Sequence, residues 1–436
     1  MTRRLDANAP DFEAAFANLL DGRQDDAADV SDTVRGIIAD VRARGDAALV
    51  DLTTRFDRFT LDVDGLALDR ATRDSFADQV DRETLAALEM AADRIRAFHA
   101  RQKPEGLDYT DAAGVRLGQR WSAVEAAGLY VPGGTASYPS SVLMNALPAK
   151  VAGVDRLVMV VPTPDGVINP LVMAAARVAG VDEIYRVGGA QAVAALAFGT
   201  GRIAPVDKIV GPGNAFVAEA KRQVFGRVGI DTIAGPSEIL VVADGDNDPD
   251  WIAADLLSQA EHDTAAQAIL ITDDAAFADR VTVSITETLA RLDRRDIAGE
   301  SWQRFGAIIT VPDLSDAPAL INRIAPEHLE LAVADPDALM ARVRHAGAVF
   351  LGRHTPEAMG DYVAGPNHVL PTSRAARFSS GLGVTDFMKR TTFVGCGASG
   401  AARIGDAAAR LADAEGLGAH ALSVRLRLSG NGAGEG

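Results

Sequence analysis

Tyr130-Val131-Pro132-Gly133-Gly134 closes a short apolar run, 127–131, with a proline and two glycines, and this strand-then-turn pattern recurs along the chain. Runs rich in Val, Ile and Leu follow at 157–161, 184–187, 208–210, 239–242, 268–271, 307–311 and 348–351, separated by helix-length segments. Alternation of this kind is the βαβ signature, in which parallel strands are covered by helices on both faces and are therefore apolar throughout. The runs form two groups, divided by the turn-rich Ala234-Gly235-Pro236-Ser237. The expected fold class is α/β, with two α/β units whose parallel sheets are incomplete Rossmann-like arrangements.

The flanks read differently. Phe12, Phe16, Leu19 and Leu20 mark a short amphipathic helix, and a second starts at Ser31 and runs through Val34, Ile37, Ile38 and Val41 to Gly45. Near the other end, 401–415 reads as helix and Val424-Arg425-Leu426-Arg427-Leu428 alternates like a strand, before a Gly-rich stretch, 429–436, that reads as disordered. The expected organisation is a helical arm (1–25), a discontinuous first α/β domain (26–128 with 238–383), a second α/β domain (129–237) and a small terminal module (384–436).

A chain of 436 residues exceeds the size at which one core keeps growing. Its 60 acidic against 43 basic residues, a net charge of −17, argue against nucleic acid as a partner. No apolar segment follows the opening Met-Thr-Arg-Arg and no run of membrane-spanning length occurs, so neither export signal nor membrane span is expected, and the location expected is cytoplasmic. The single cysteine, Cys396, excludes an internal disulfide and a Cys-rich zinc site. Any metal must then use His, carboxylate or amide ligands.

Candidate chemistry is scattered. After the cap-like Asn247-Asp248-Pro249-Asp250, Ile252, Leu256 and Gln259 follow at the spacing of one helix face, so Gln259 continues an apolar stripe, and His262 follows one turn on. Two ligands from one turn suit a metal ion, although a structural hydrogen-bonding pair satisfies the same spacing. Three Gly-rich turns, at 133–134, 188–189 and 211–213, suit close approach of a phosphate-bearing cofactor, yet none is the G-x-G-x-x-G fingerprint. That fingerprint does occur at Gly395-Cys396-Gly397-Ala398-Ser399-Gly400, but too little chain follows to complete a dinucleotide domain, so it reads as a connector.

Among the seven histidines, His99, His345 and His354 read as solvated positions. Glu327-His328, after Pro326, reads as the first turn of a helix carrying an acid/base pair, with two exposed helix residues as the alternative. His368 sits in a loop, Gly365-Pro366-Asn367-His368, whose composition forbids regular structure; Asp361 offers a hard oxygen ligand, and His420 lies in the terminal module.

These segments, taken in order, resemble the histidinol dehydrogenases. The resemblance rests on 128–135, 187–192, 210–215, 234–238, Ser258-Gln259-Ala260-Glu261-His262, Pro326-Glu327-His328-Leu329, Gly360-Asp361-Tyr362, 367–372 and Glu415-Gly416-Leu417-Gly418-Ala419-His420, and spans nearly the whole chain. It implies NAD-dependent oxidation of L-histidinol through L-histidinaldehyde to L-histidine. Gln259, His262, Asp361 and His420 would bind one zinc per subunit, His420 reaching in from the second subunit of a homodimer. Tyr130, Gln191 and Asn214 would contact NAD, which assigns the cofactor to 129–237 and leaves the metal and acid/base groups to the first domain. Glu327 and His328 would be the acid/base pair. Ser237, Gln259, His262, His328, Asp361, His368, Glu415 and His420 would contact substrate, Glu415 from the partner. At Ser137-Tyr138-Pro139 and Gly418 the chain departs from residues seen in parts of the family. Rival readings are a relative acting on another alcohol such as a sulfonated diol, a zinc hydrolase, and a two-lobed binding protein.

Overall fold

The computed structural model describes residues 3–22, 30–133, 138–233 and 235–429. Two compact units account for them, one made of 1–102 with 124–387 and the other of 103–123 with everything from 388 onward. The Gly-rich tail from 430 and the 134–137 stretch lie outside the described residues.

The first unit contains two wholly parallel sheets. The six-stranded sheet runs, edge to edge, Arg3–Asp6, Ala307–Thr310, Gln267–Thr272, Glu238–Ala243, His328–Ala332 and Ala348–Leu351. Its central strands are buried at every position, and their alternate residues feed two different cores. Leu240, Val242, Ile269, Ile271 and Ile309 pack on one face, while Ile239, Val241, Ala268, Leu270 and Ile308 pack on the other. A strand covered on both faces has no polar side, which is why the sequence shows runs rather than alternation. The five-stranded sheet runs Glu183–Tyr185, Arg156–Val160, Ala126–Tyr130, Lys208–Val210 and Gly229–Ile230, again parallel.

Every strand expected from the apolar runs is present, within two residues at each end. Two segments pack differently from the expected boundaries. The helical arm contains a strand, Arg3–Asp6, which joins the six-stranded sheet beside Ala307–Thr310, and the Phe12–Asp21 helix then packs Phe12, Phe16 and Leu19 on the same face. Helices Ser31–Arg44 and Asp46–Asp57, assigned by sequence to the first domain, bury Val34, Ile38, Val41, Leu49 and Leu52 with Val158 and Val160 of the five-stranded sheet and Leu196 of the Gly189–Phe198 helix that covers it. The apolar face of a helix fixes that it is buried, not which of two sheets covers it.

Three local readings are corrected. Glu327-His328 does not open a helix: the Ala317–Ile324 helix stops at Ala325, whose φ of 50° is left-handed, and His328 starts a strand paired on both sides. His99 is fully buried on the Arg82–Ala100 helix, its Nδ1 2.8 Å from the Ile95 carbonyl. In the second unit, Val424–Leu428 is helical, within Gly418–Ser429, which packs on the Ala398–Ala414 helix. That unit's sheet is antiparallel, Met388–Cys396, Val115–Ala123 and Leu107–Thr110 in order. The Gly395–Gly400 fingerprint therefore follows an antiparallel strand, and Gly400 fits against the Gly114 carbonyl, as a connector would. Among the described residues no helix is long and apolar enough to cross a membrane.

Leu240→Ala, in the middle of the six-stranded sheet and fully buried, is expected to cost about 2–5 kcal/mol in denaturant unfolding, whereas Val283→Ala on an exposed helix face should stay within about 0.5 kcal/mol. A pH dependence follows from His99, whose pKa burial holds below the usual 6.5. The unfolded chain then binds the extra proton first, so stability is full above that value and falls as pH drops below it. His99→Leu should flatten the fall of unfolding free energy between about pH 7 and pH 5.

Candidate active site between the two sheets

Glu238 heads the central strand of the six-stranded sheet, and the parallel register sets Glu327 and His328 beside it. The two glutamates clasp each other: the Glu238 amide donates to Glu327 Oε2 at 2.8 Å, and the Glu327 amide donates to Glu238 Oε2 at 3.3 Å. The Glu238 carbonyl accepts from His328 Nδ1 at 2.9 Å. Since a carbonyl only accepts, this bond needs a hydrogen on Nδ1 and leaves Nε2 to gain or lose a proton; the Gln259 Nε2 amide, itself a donor, then makes no hydrogen bond to Nδ1 despite lying 3.0 Å away.

Nε2 faces carboxylates, 3.4 Å from Asp361 Oδ1 and 3.8 Å from Glu357 Oε1. Asp361 reaches this position because Gly360 lets the 360–364 turn lie on Phe350; a Cβ at 360 would come within 2.2 Å of the ring. Phe350 in turn stacks on the imidazole, ring centres 6.0 Å apart. Burial alone would lower the His328 pKa, but the Glu327, Asp361 and Glu357 carboxylates outweigh it and raise the value to about 10. Burial lifts Glu327 to about 7 and, with the Asp361 charge, Glu357 to about 8. Asp361 is held at about 2, its own burial being overcome by the bond to His328.

Gln259 ends the apolar face of the Pro249–Ala260 helix, as its spacing predicted, and is 1% exposed. Its Nε2 lies 3.0 Å from His328 Nδ1 and 3.5 Å from the Glu238 carbonyl, while its Oε1 is buried with no hydrogen-bond partner. An orphaned buried acceptor is costly unless something electropositive fills the gap. His262 lies just past the helix, in the following turn, exposed. His368 closes another side, its Nδ1 3.0 Å from the Asp361 carbonyl and its Nε2 3.4 Å from Ser141 Oγ. Ser141 belongs to the Pro139–Ala152 helix of the five-stranded sheet, and Asn367 Nδ2 donates to the Met144 carbonyl of that helix at 2.7 Å. Ser237, half-buried, immediately precedes Glu238.

At the far edge of the five-stranded sheet, the Tyr130 hydroxyl accepts from the Gly189 amide at 3.0 Å. Gln191 is buried in the first turn of the Gly189–Phe198 helix, and Asn214 caps Ala215–Val224 through the Phe216 and Val217 amides. The three Gly-rich turns thus share one edge, at the carboxyl ends of their strands, where open α/β sheets bind ligands. Glu415 and His420 belong to the second unit, exposed at the junction of its two helices.

Sequence reading missed Glu238 and Glu357. Both left a trace: Glu238 is a carboxylate heading an otherwise apolar strand, and Glu357 stands one helical turn before Asp361. His328, Glu357 and Asp361 offer ligand atoms all within 4.8 Å of one another. With the unpaired Gln259 oxygen on the side chain that lies against His328, this mixed nitrogen and oxygen set fits a divalent metal such as zinc.

A sequence model of the family described as histidinol dehydrogenase matches residues 20–428. The histidinol dehydrogenase of Rhodospirillum rubrum is 69% identical over 430 residues, covering 98% of this chain and 99% of that one. That of Ruegeria pomeroyi is 65% identical over 428 residues, with coverage of 98% and 99%. The crystal structure of histidinol dehydrogenase from Elizabethkingia anophelis superposes with a TM-score of 0.94 at 34% identity, over 99% of both chains. Fold and relatives together define an oxidoreductase of the α/β class. The chain belongs to the histidinol dehydrogenase family.

Because Gln259 Oε1 is unsatisfied, metal-stripped Gln259→Met is expected to unfold at no lower denaturant concentration than the metal-stripped parent. A loss of more than about 1 kcal/mol would mean that the amide is structural.

Proposed function

We propose that the chain oxidises L-histidinol to L-histidine through L-histidinaldehyde, passing one hydride to each of two NAD molecules. The observation that carries this reading is the buried pairing of Glu327 with His328 beside the unsatisfied Gln259 oxygen, in a chain 69% identical to a histidinol dehydrogenase.

Zinc would be held by Gln259, His262 and Asp361 of one subunit with His420 of the partner subunit, in a homodimer with shared sites. Bound zinc supplies a Lewis acid that fixes an amine and an imidazole, the two nitrogen donors of histidinol. NAD, bound through Tyr130, Gln191 and Asn214, supplies the hydride acceptor. The protein's own residues handle the protons. The surrounding carboxylates keep His328 protonated in the metal-free protein; with a cation offsetting the Asp361 and Glu357 charges, His328 Nε2 would shed that proton and take the hydroxyl proton in the first oxidation. Glu327, whose pKa near 7 suits a base at neutral pH, activates the water that hydrates the aldehyde before the second. His368 and Ser237 line the substrate's position, and Glu415 of the partner subunit faces its amine. Keeping the aldehyde bound between two buried sheet edges protects it from side reactions.

Histidinol with NAD should give two NADH per molecule, read by absorbance, and a chelator should abolish the signal. Turnover of a sulfonated diol but not histidinol would overturn the substrate assignment. Glu327→Gln is expected to slow aldehyde oxidation by about 10²–10⁴-fold with zinc content unchanged; loss of zinc with normal chemistry on the retained metal would refute its role. His262→Asn should give a folded protein with little zinc by elemental analysis, and full retention would sink the ligand set.

A further inference from the structure

Beneath the Gly211–Asn214 turn lies a buried ion pair that the chemistry above does not use. Lys221, on the Ala215–Val224 helix, and Asp231, just past the Gly229–Ile230 strand, have side chains only 2% and 5% exposed and pair directly. Each also holds Gly211. Lys221 Nζ donates to the Gly211 carbonyl at 3.0 Å, and Asp231 Oδ2 accepts from the Gly211 amide at 2.8 Å. Both backbone polar groups of one residue are thus fixed by two opposite charges that also fix each other.

The residue so gripped is itself under constraint. Gly211 has φ of +114°, and a Cβ there would lie 2.1 Å from the Tyr130 carbonyl oxygen. The turn is therefore pressed against the end of the Ala126–Tyr130 strand, and Asn214 follows three residues later. Asp231 also opens the connection, 231–237, that leads across to Ser237 and Glu238 on the other sheet.

Stability alone is a poor reason for such a pair. Desolvating two charges costs about what their attraction returns, and an apolar pair of equal volume usually serves as well or better. What the charges add is geometry: they hold a closely packed glycine turn in one place. We propose that Lys221 and Asp231 are positioning residues for the pyridine dinucleotide, clamping the 211–214 turn on Tyr130 so that NAD meets a preformed site. The inference rests on the NAD reading above.

Calorimetric titration with NAD, on zinc-loaded dimer, tests it. Lys221→Met should weaken NAD binding by about tenfold or more through lost preorganisation, while kcat at saturating NAD, KM for histidinol and zinc content stay within about threefold of the parent. Equal NAD affinity in a folded Lys221→Met protein overturns the clamp. Should that variant not fold, because Asp231 is left buried alone, Lys221→Met with Asp231→Asn removes both charges, and the same outcomes apply. Hydrogen exchange on the unaltered enzyme decides independently of any variant: the Gly211 amide should be protected before NAD is added, and fast exchange there refutes the clamp. A parent protein that binds no NAD would fail the cofactor reading instead, whatever the exchange data show.

Discussion

Glu238 holds the Glu327–His328 corner together. Its amide and carbonyl serve Glu327 and His328, its carboxylate accepts from the Glu327 and Ser373 amides, and its carbonyl also lies within reach of the Gln259 side chain. One residue at the head of one strand thereby sets the tautomer of the histidine, the orientation of its partner carboxylate and the position of a neighbouring amide. Its burial makes this possible, because a carboxylate shielded from water must keep its hydrogen bonds.

Strand polarity accounts for where the site lies. Glu238 and His328 stand at the amino ends of their strands, whereas Tyr130 and the glycine turns stand at the carboxyl ends of theirs. Ligands of open α/β sheets ordinarily gather at carboxyl ends. Here the 367–368 loop, bonded to the Pro139–Ala152 helix, joins an amino edge to the other sheet. That loop brings the Glu327–His328 end of one sheet toward the helix that follows Tyr130 on the other.

The corner is also unusually rich in acid. Burial raises Asp255 to about 6, and burial followed by the Asp255 charge raises Glu330 well above the carboxylate range. Glu330 accepts from the Glu357 amide at 2.6 Å, and Ser258 donates to Glu357 at 3.3 Å. Burial thus favours the protonated form of Glu330 and Glu357, whereas Asp361, opposite His328, is driven to ionise. Carboxylates gathered so closely around one imidazole would be stabilised by a cation.

The sequence by itself determined the two parallel sheets, since residues buried on both faces must be apolar whatever surrounds them, and it determined Gln259 as the odd polar member of an apolar helix face. It also carried the glycine turns and, through resemblance, the family. Tertiary structure decided the rest. Glu327-His328 became the start of a strand because two neighbouring strands offered backbone partners to 328–332, a choice that local propensity for a Pro-led helix could not anticipate. Which sheet the Ser31–Arg44 helix covers, that His99 is buried, and that Glu238 and Glu357 converge on His328 all depend on contacts between residues far apart in the chain. Periodicity reports that a face is buried; only packing decides against what.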